Sequence, residues 1–238
     1  MKKIFTILSL ALTMVSTSYA TTYGVWVKGV QVSSANYANI LGNGTVSYDP
    51  STKTLTLKNA TISCATDAPI RSDLNGLKVV CNGNNTLDMT GANGYAMYLT
   101  FGTTVTTTQA NSTLTLNSPD IAVLMGDNKT VFDGNNFQLG INVNGSKGGF
   151  VGVINEGGGT RLTLKNAKVN ISATTQGAIK DMSSFTLDGV EVLSPAGCSF
   201  STTEHALVKG GSVVKEAVTI AGDERTVIKE LSLSNLHA

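Results

Sequence analysis

The chain has 238 residues, of which 41% are hydrophobic and only 14% charged, and its 25 glycines accompany many Thr, Asn and Ser residues set between Val, Leu and Ile. That is the composition of strands and turns rather than of helix or disorder. The formal net charge is +1, and removing Lys2 and Lys3 with a leader leaves 15 basic against 16 acidic side chains, so no basic surface invites nucleic acid or an acidic membrane.

Residues 1–20 read as a signal peptide: Lys2 and Lys3, an apolar run from Ile4 to Val15, then Ser18-Tyr19-Ala20 with small residues where a signal peptidase needs them. The expected product begins at Thr21, is soluble, and is secreted or periplasmic. No later apolar run approaches the roughly 20 residues that span a bilayer, so no membrane span is expected. Nor does a lipoprotein cysteine, a hydrophobic tail or a sorting motif point to an anchor. A chain of this size buries roughly 70% of its unfolded surface in one domain.

From Tyr23, alternating Val25, Val27, Val30 and Val32 around Lys28-Gly29 predict a hairpin or bent strand. Ser33-Ser34 before Ala35 to Leu41 predicts a brief capped helix, stopped by Gly42-Asn43-Gly44. A second hairpin is expected from residues 45–48 to 54–57 across Asp49-Pro50-Ser51-Thr52-Lys53. The hexapeptide LTLKNA then occurs twice, at Leu55–Ala60 and Leu162–Ala167, each followed by a branched residue, Ile62 or Val169. It reads as a strand with two inward leucines, a corner at Asn59 or Asn166, and the start of another strand.

Short apolar runs separated by Asn/Gly/Asp turns continue to Leu193, with no helical period. Taking Leu55, Val79, Leu114, Val131, Leu162 and Leu187 as equivalent strand starts gives uneven steps of 24, 35, 17, 31 and 25 residues. A β-solenoid with loops of varied length accounts for this, as does a β-sandwich with uneven hairpins. The shortness of the runs and the Asn-rich turns favour the solenoid. Segments 21–54 and 195–238 are expected to cap its two ends, the latter with a hairpin at Gly210-Gly211, and residues 55–194 to form the coils.

The opening residues carry a resemblance. Tyr23, Trp26, Val27, Gly29, Val32 and Asn36, then Leu41, Gly42, Gly44 and Val46 to Pro50, then Leu55, Leu57, Asn59, Ala60 and Ile62 follow the pattern of modules in large secreted proteins of gut bacteria. Ser194-Pro195, Gly197, Val213 to Glu216 and Ile220 resemble the closing segment of those modules. The resemblance implies an all-β, single-stranded right-handed parallel β-helix of the pectate-lyase-like shape with capping hairpins, of a kind often labelled carbohydrate-binding, and it brings no catalytic residues with it.

Chemistry is sparse. The Asn-Thr-Asp, Asp-Asp, Gly-His-Gly and Arg-Ile-Lys motifs of polygalacturonase-like hydrolases are absent. Asp67, Arg71 and Asp73 come nearest to a lyase group but read as a solvated pair beside a turn. No metal, cofactor or catalytic residue is assigned, and the expectation is a protein without enzymatic activity, with an unrecognised lyase or hydrolase as an alternative. Cys64 and Cys81 lie 17 residues apart, either as a disulfide between coils or as two small buried residues. Sugar binding needs aromatic faces with a few polar partners. Tyr95 and Tyr98, with Phe101 nearby and Asn93 before them, form the only aromatic cluster outside the caps, projecting from a loop or packing over one side of the solenoid. Trp26 either points away from the core or seals the first coil. Asn93, Tyr95, Tyr98 and Trp26 are therefore the candidate binding residues, for a polysaccharide or a cell-surface glycan. A structural or adhesive module that contacts a protein partner is the other reading.

Overall fold

The structure, a computed structural model, describes residues 20–136, 138–155 and 158–222. These residues are all-β with no helix, and parallel strands stack into a β-solenoid of about five turns. The expected leader, Ala20 apart, and the ERTVIKE and LSLSN segments read near the C-terminus lie outside the described residues.

Three strands precede the coils: β1 (Thr22–Val27), β2 (Val30–Ser33) and β3 (Val46–Asp49). The first hairpin turns at Lys28 and Gly29, both at positive φ (53° and 74°), and β1 pairs β2 antiparallel. Residues 35–41 form turns instead of the expected helix. Their amide side chains bond the backbone locally: Asn36 Oδ1 accepts the Ser33 N–H (2.7 Å), Asn36 Nδ2 donates to Gln31 O (3.0 Å), and Asn39 Oδ1 accepts the Gly44 N–H (2.8 Å). Such bonds compete with a helical ladder, and over so short a segment they win.

Each coil contributes one strand to each of three sheets. The first holds β4 (Thr54–Lys58), β5 (Thr61–Cys64) and β6 (Ile70–Ser72). The second holds β7 (Leu77–Asn82), β8 (Asn84–Met89) and β9 (Tyr95–Leu99), and the third β10 (Thr103–Thr106), β11 (Ser112–Ser118) and β12 (Ile121–Met125). The fourth holds β13 (Asn128–Asp133), β14 (Leu139–Gly145) and β15 (Gly148–Val151), followed by the short β16 (Ile154–Asn155). The fifth holds β17 (Gly158–Lys165), β18 (Lys168–Ile171) and β19 (Gly177–Lys180). We call the sheet through β6, β9, β12, β15 and β19 face A, that through β4, β7, β10, β13 and β17 face B, and that through β5, β8, β11, β14 and β18 face C.

Inward residues stack coil on coil. On face C the column is Ile62, Leu87, Leu116, Val143 and Ile171; on face A it is Ile70, Met97, Val123, Phe150 and Ile179. Every member is buried, and burying a side chain of this size stabilises by about 1.5–3 kcal/mol. On face B the register runs Leu55, Val79, Val105, Phe132, Leu164 and Leu187, in steps of 24, 26, 27, 32 and 23 residues. This corrects the predicted set: Leu114 belongs to face C, Val131 points outward beside Phe132, and Leu164 rather than Leu162 continues the column. The true third member, Val105, hides in a run of threonines, of which Thr103 and Thr107 are themselves buried and hydrogen-bonded.

The two LTLKNA copies do the same local work. Leu55, Leu57, Leu162 and Leu164 are fully buried, while Asn59 and Asn166 turn corners at φ 49° and 44°. The Asn59 N–H donates to Asn82 O (3.0 Å) and the Asn166 N–H to Asp188 O (2.9 Å) in the following coil. Relative to the stacking register the second copy is displaced by two residues on faces B and C alike, since Leu55 leads to Leu164 and Ile62 to Ile171. A displacement of two keeps every inward residue inward. The three cysteines are free; Cys81 is buried in the core, where desolvation pushes its thiol up to about 12, and Cys64 is half-buried beside Met89 in the ladder.

Beyond the fifth coil lie β20 (Ser184–Asp188), β21 (Glu191–Ser194), β22 (Cys198–Ser201), β23 (Ala206–Lys209), β24 (Ser212–Val213) and β25 (Val218–Ala221). β20 continues face B in parallel, whereas β25 runs antiparallel between β18 and β21 and ends the parallel array of face C. β22, β23 and β24 form a small antiparallel sheet turning at Gly210 and Gly211, and Ala178 N–H donates to Val214 O (2.8 Å), tying it to face A.

Candidate functional site

The three outer faces differ in chemistry. Face C presents hydroxyl and amide ladders, with Asn144 Nδ2 donating to Asn117 Oδ1 (2.9 Å) and Asn170 Nδ2 to Asn142 Oδ1 (3.2 Å), so its polar groups largely satisfy one another. Face B carries threonines and charges, including the Lys165–Asp133 pair at 3.8 Å. Face A carries aromatic as well as aliphatic side chains outward, where face B sets Val131 among threonines and charges. Its outer row runs Trp26, Arg71, Tyr98, Leu124 and Val151, with Tyr95 and Ile121 beside it.

Tyr95 and Tyr98 stand on strand β9, on one side of the solenoid rather than on a loop, which is the second of the two expected placements. In a regular strand residues three apart face opposite ways. Here Ala96 and Met97 are both inward and fully buried, which returns Tyr98 to the side of Tyr95, and β12 repeats the pattern with Ala122 and Val123 between Ile121 and Leu124. The two rings lie 5.6 Å apart at 51°, so each braces the other while both stay half-buried.

Asn93, Gly94, Tyr95 and Tyr98 line a recess of about 230 Å³, closed on its other side by Thr66, Asp67, Ala68, Arg71 and Met89. Three of the four predicted binding residues therefore share one cavity. The fourth, Trp26, adjoins it: it points away from buried Val25 and Val27, as the outward alternative requires, and its ring lies 4.6 Å beneath the Arg71 guanidinium carbon. Phe101 is exposed at 40% but does not line the recess.

Arg71 is the residue that sequence reasoning undervalued. Its Nη2 donates to Asp73 Oδ2 at 3.1 Å, which is the pair anticipated there, and Asp73 Oδ1 accepts from Thr100 Oγ1 at 2.7 Å. The stacking on Trp26 comes only from the antiparallel register of β1 on β6, which sets Trp26 beside Arg71 across 45 residues of chain. No local pattern announces such a contact. Held from below and from one side, the guanidinium becomes a fixed, planar donor at the edge of the recess. Asp67 also lines the recess, its Oδ1 accepting the Ala68 N–H (2.8 Å).

Chemically, the recess offers two tilted aromatic faces ringed by an amide, a carboxylate, a hydroxyl and a guanidinium. It can hold a small polar ligand that has one apolar face. Among the described residues no three His, Cys, Asp or Glu side chains converge in a way that could hold a metal ion, and no helix is long and apolar enough to cross a membrane. No protein-family model matches the chain, and no curated protein and no solved structure matches it.

Proposed function

We propose that the protein is a secreted, non-enzymatic β-solenoid that binds a glycan in the recess on face A. The observation carrying this reading is that Asn93, Tyr95 and Tyr98 share one cavity with Asp67 and Arg71, while Trp26 extends it along the same row. A pyranose has an apolar face bordered by hydroxyls, and such a ligand is matched by ring faces with a few convergent polar groups. Asp73 accepts from Arg71 and Thr100, and Asp67 accepts the Ala68 N–H; the non-enzymatic part of the reading rests on the hydrolase motifs that the sequence lacks. Secretion rests on the leader read over residues 1–20.

The test is retention on immobilised polysaccharides, followed by titration of the fluorescence of Trp26, the only tryptophan in the chain. Wild type is expected to be retained by at least one glycan, and Tyr95→Ala with Tyr98→Ala to lose retention without loss of the fold by circular dichroism. Failure to bind any polysaccharide sinks the reading, and release of reducing ends or unsaturated products converts it to the enzymatic one. A protein-contacting, adhesive role is the second reading, favoured by Phe101, Val153 and Ile154, which are apolar and 40–42% exposed.

A further inference from the structure

We infer that the glycan is a linear, neutral chain lying along the solenoid axis, and that the site continues beyond the recess over Leu124 and Ile121. The inference rests on the glycan reading above and concerns the shape and charge of the ligand. Tyr98 is followed in the next coil by Leu124 and then by Val151, while Tyr95 is followed by Ile121. From Trp26 to Val151 the outer row makes four steps, each about 4.8 Å, or roughly 19 Å in all. One step is comparable to the length of one pyranose unit, so successive sugars meet successive side chains.

The row has ends. Beyond Ile121 the neighbouring column carries Gly148 and Gly177, and beyond Val151 it carries Lys180, whose Nζ pairs with Asp181 at 3.1 Å. Val151 itself is only 6% exposed, whereas Ile121 and Leu124 are half-buried and open to a ligand. The apolar floor therefore covers Trp26 through Leu124, with its polar contacts concentrated at the recess. Charge argues for a neutral chain: Arg71, the one cation lining the recess, is already paired with Asp73 outside the lining, which leaves the carboxylate of Asp67 to repel a polyanion.

Mono- to hexasaccharide series of cello-, laminari-, manno- and xylo-oligosaccharides, with oligogalacturonate as the acidic comparison, test this by calorimetry on the full chain. In one neutral series the Kd is expected to fall at least tenfold from one sugar to four. Leu124→Asp, an outward substitution that leaves the core intact, is expected to return the tetrasaccharide Kd to the disaccharide value while leaving the disaccharide Kd unchanged. Affinity independent of length, an unaltered tetrasaccharide Kd in Leu124→Asp, or stronger binding of the acidic series overturns the extended neutral site while the glycan reading stands. A dimer in solution that Leu124→Asp dissociates also overturns it, since the row would then be covered by a second copy. Absence of binding by every oligosaccharide and polysaccharide overturns both.

Discussion

Gly83 sits over the carboxamide of Asn59, as Gly189 sits over that of Asn166, at φ 71° and 68°. A Cβ at Gly83 would collide with Asn59 Oδ1, the atom that accepts the Asn84 N–H at 2.9 Å. Gly29 has a similar φ of 74° but open space around it. Alanine at Gly29 should therefore cost only the left-handed conformation, about 1 kcal/mol. At Gly83 it adds displacement of a corner hydrogen bond, for about 3 kcal/mol in all. Urea unfolding of the two variants checks the order, and repeating Gly83→Ala in an Asn59→Ala background should bring its cost down to that of Gly29→Ala. Equal costs for Gly83→Ala in both backgrounds would show that the carboxamide is not the obstacle. Gly83 and Gly189 stand after Asn82 and Asp188 and read simply as turn residues; what they press against is the preceding coil, which no local pattern reveals.

The β3–β4 hairpin has its own pH dependence. Asp49 accepts bonds from Ser51 Oγ (2.7 Å), Thr52 Oγ1 (2.9 Å) and the Ser51 N–H (2.9 Å), and these hold its carboxyl below the usual carboxylate range. Because the folded-state value lies below the unfolded one, the carboxylate's contribution is complete above the unfolded value and is lost as the pH falls through the folded one. Asp49→Ala should accordingly lower the thermal midpoint at neutral pH, and the gap from wild type should close as the pH drops below the carboxylate range. A gap constant with pH would assign the loss to the turn backbone instead. This hairpin, the one at Lys28-Gly29 and the one at Gly210-Gly211 were legible from alternation and turn residues. Strand β10 of the third coil was not, because Val105 is a single inward aliphatic among threonines that are buried by hydrogen bonding rather than by apolarity. Tyr95 and Tyr98 were visible as a pair, yet their common side depends on the double inward step at Ala96-Met97, which strand periodicity forbids.

A stack of coils has two ends, and each must be closed. At the last coil the closure uses Leu207, Val214, Val218 and Ile220, all buried in the continuous core, and backbone bonds from Ala178 to Val214 and from Thr174 to Lys215 (2.7 Å). Ending the chain after Ser194 would uncover β18, Ala178 on β19 and Thr174 between them. The shortened protein should aggregate, seen as light scattering and loss of the monomer peak on gel filtration, whereas a soluble monomer would mean that the coils close themselves. Capping was foreseeable from the solenoid pattern alone, but the reversal of β25 inside face C was not, since Val218–Ala221 has the same alternation as any parallel strand. The alternation also divides the molecule into two independent alphabets. Inward letters hold the coils together, and the outward letters of face A, from Trp26 to Leu124, touch none of that core with their outer surfaces. Selection can respell the second alphabet without disturbing the first, so one scaffold can present a different outer surface by exchanging a handful of side chains.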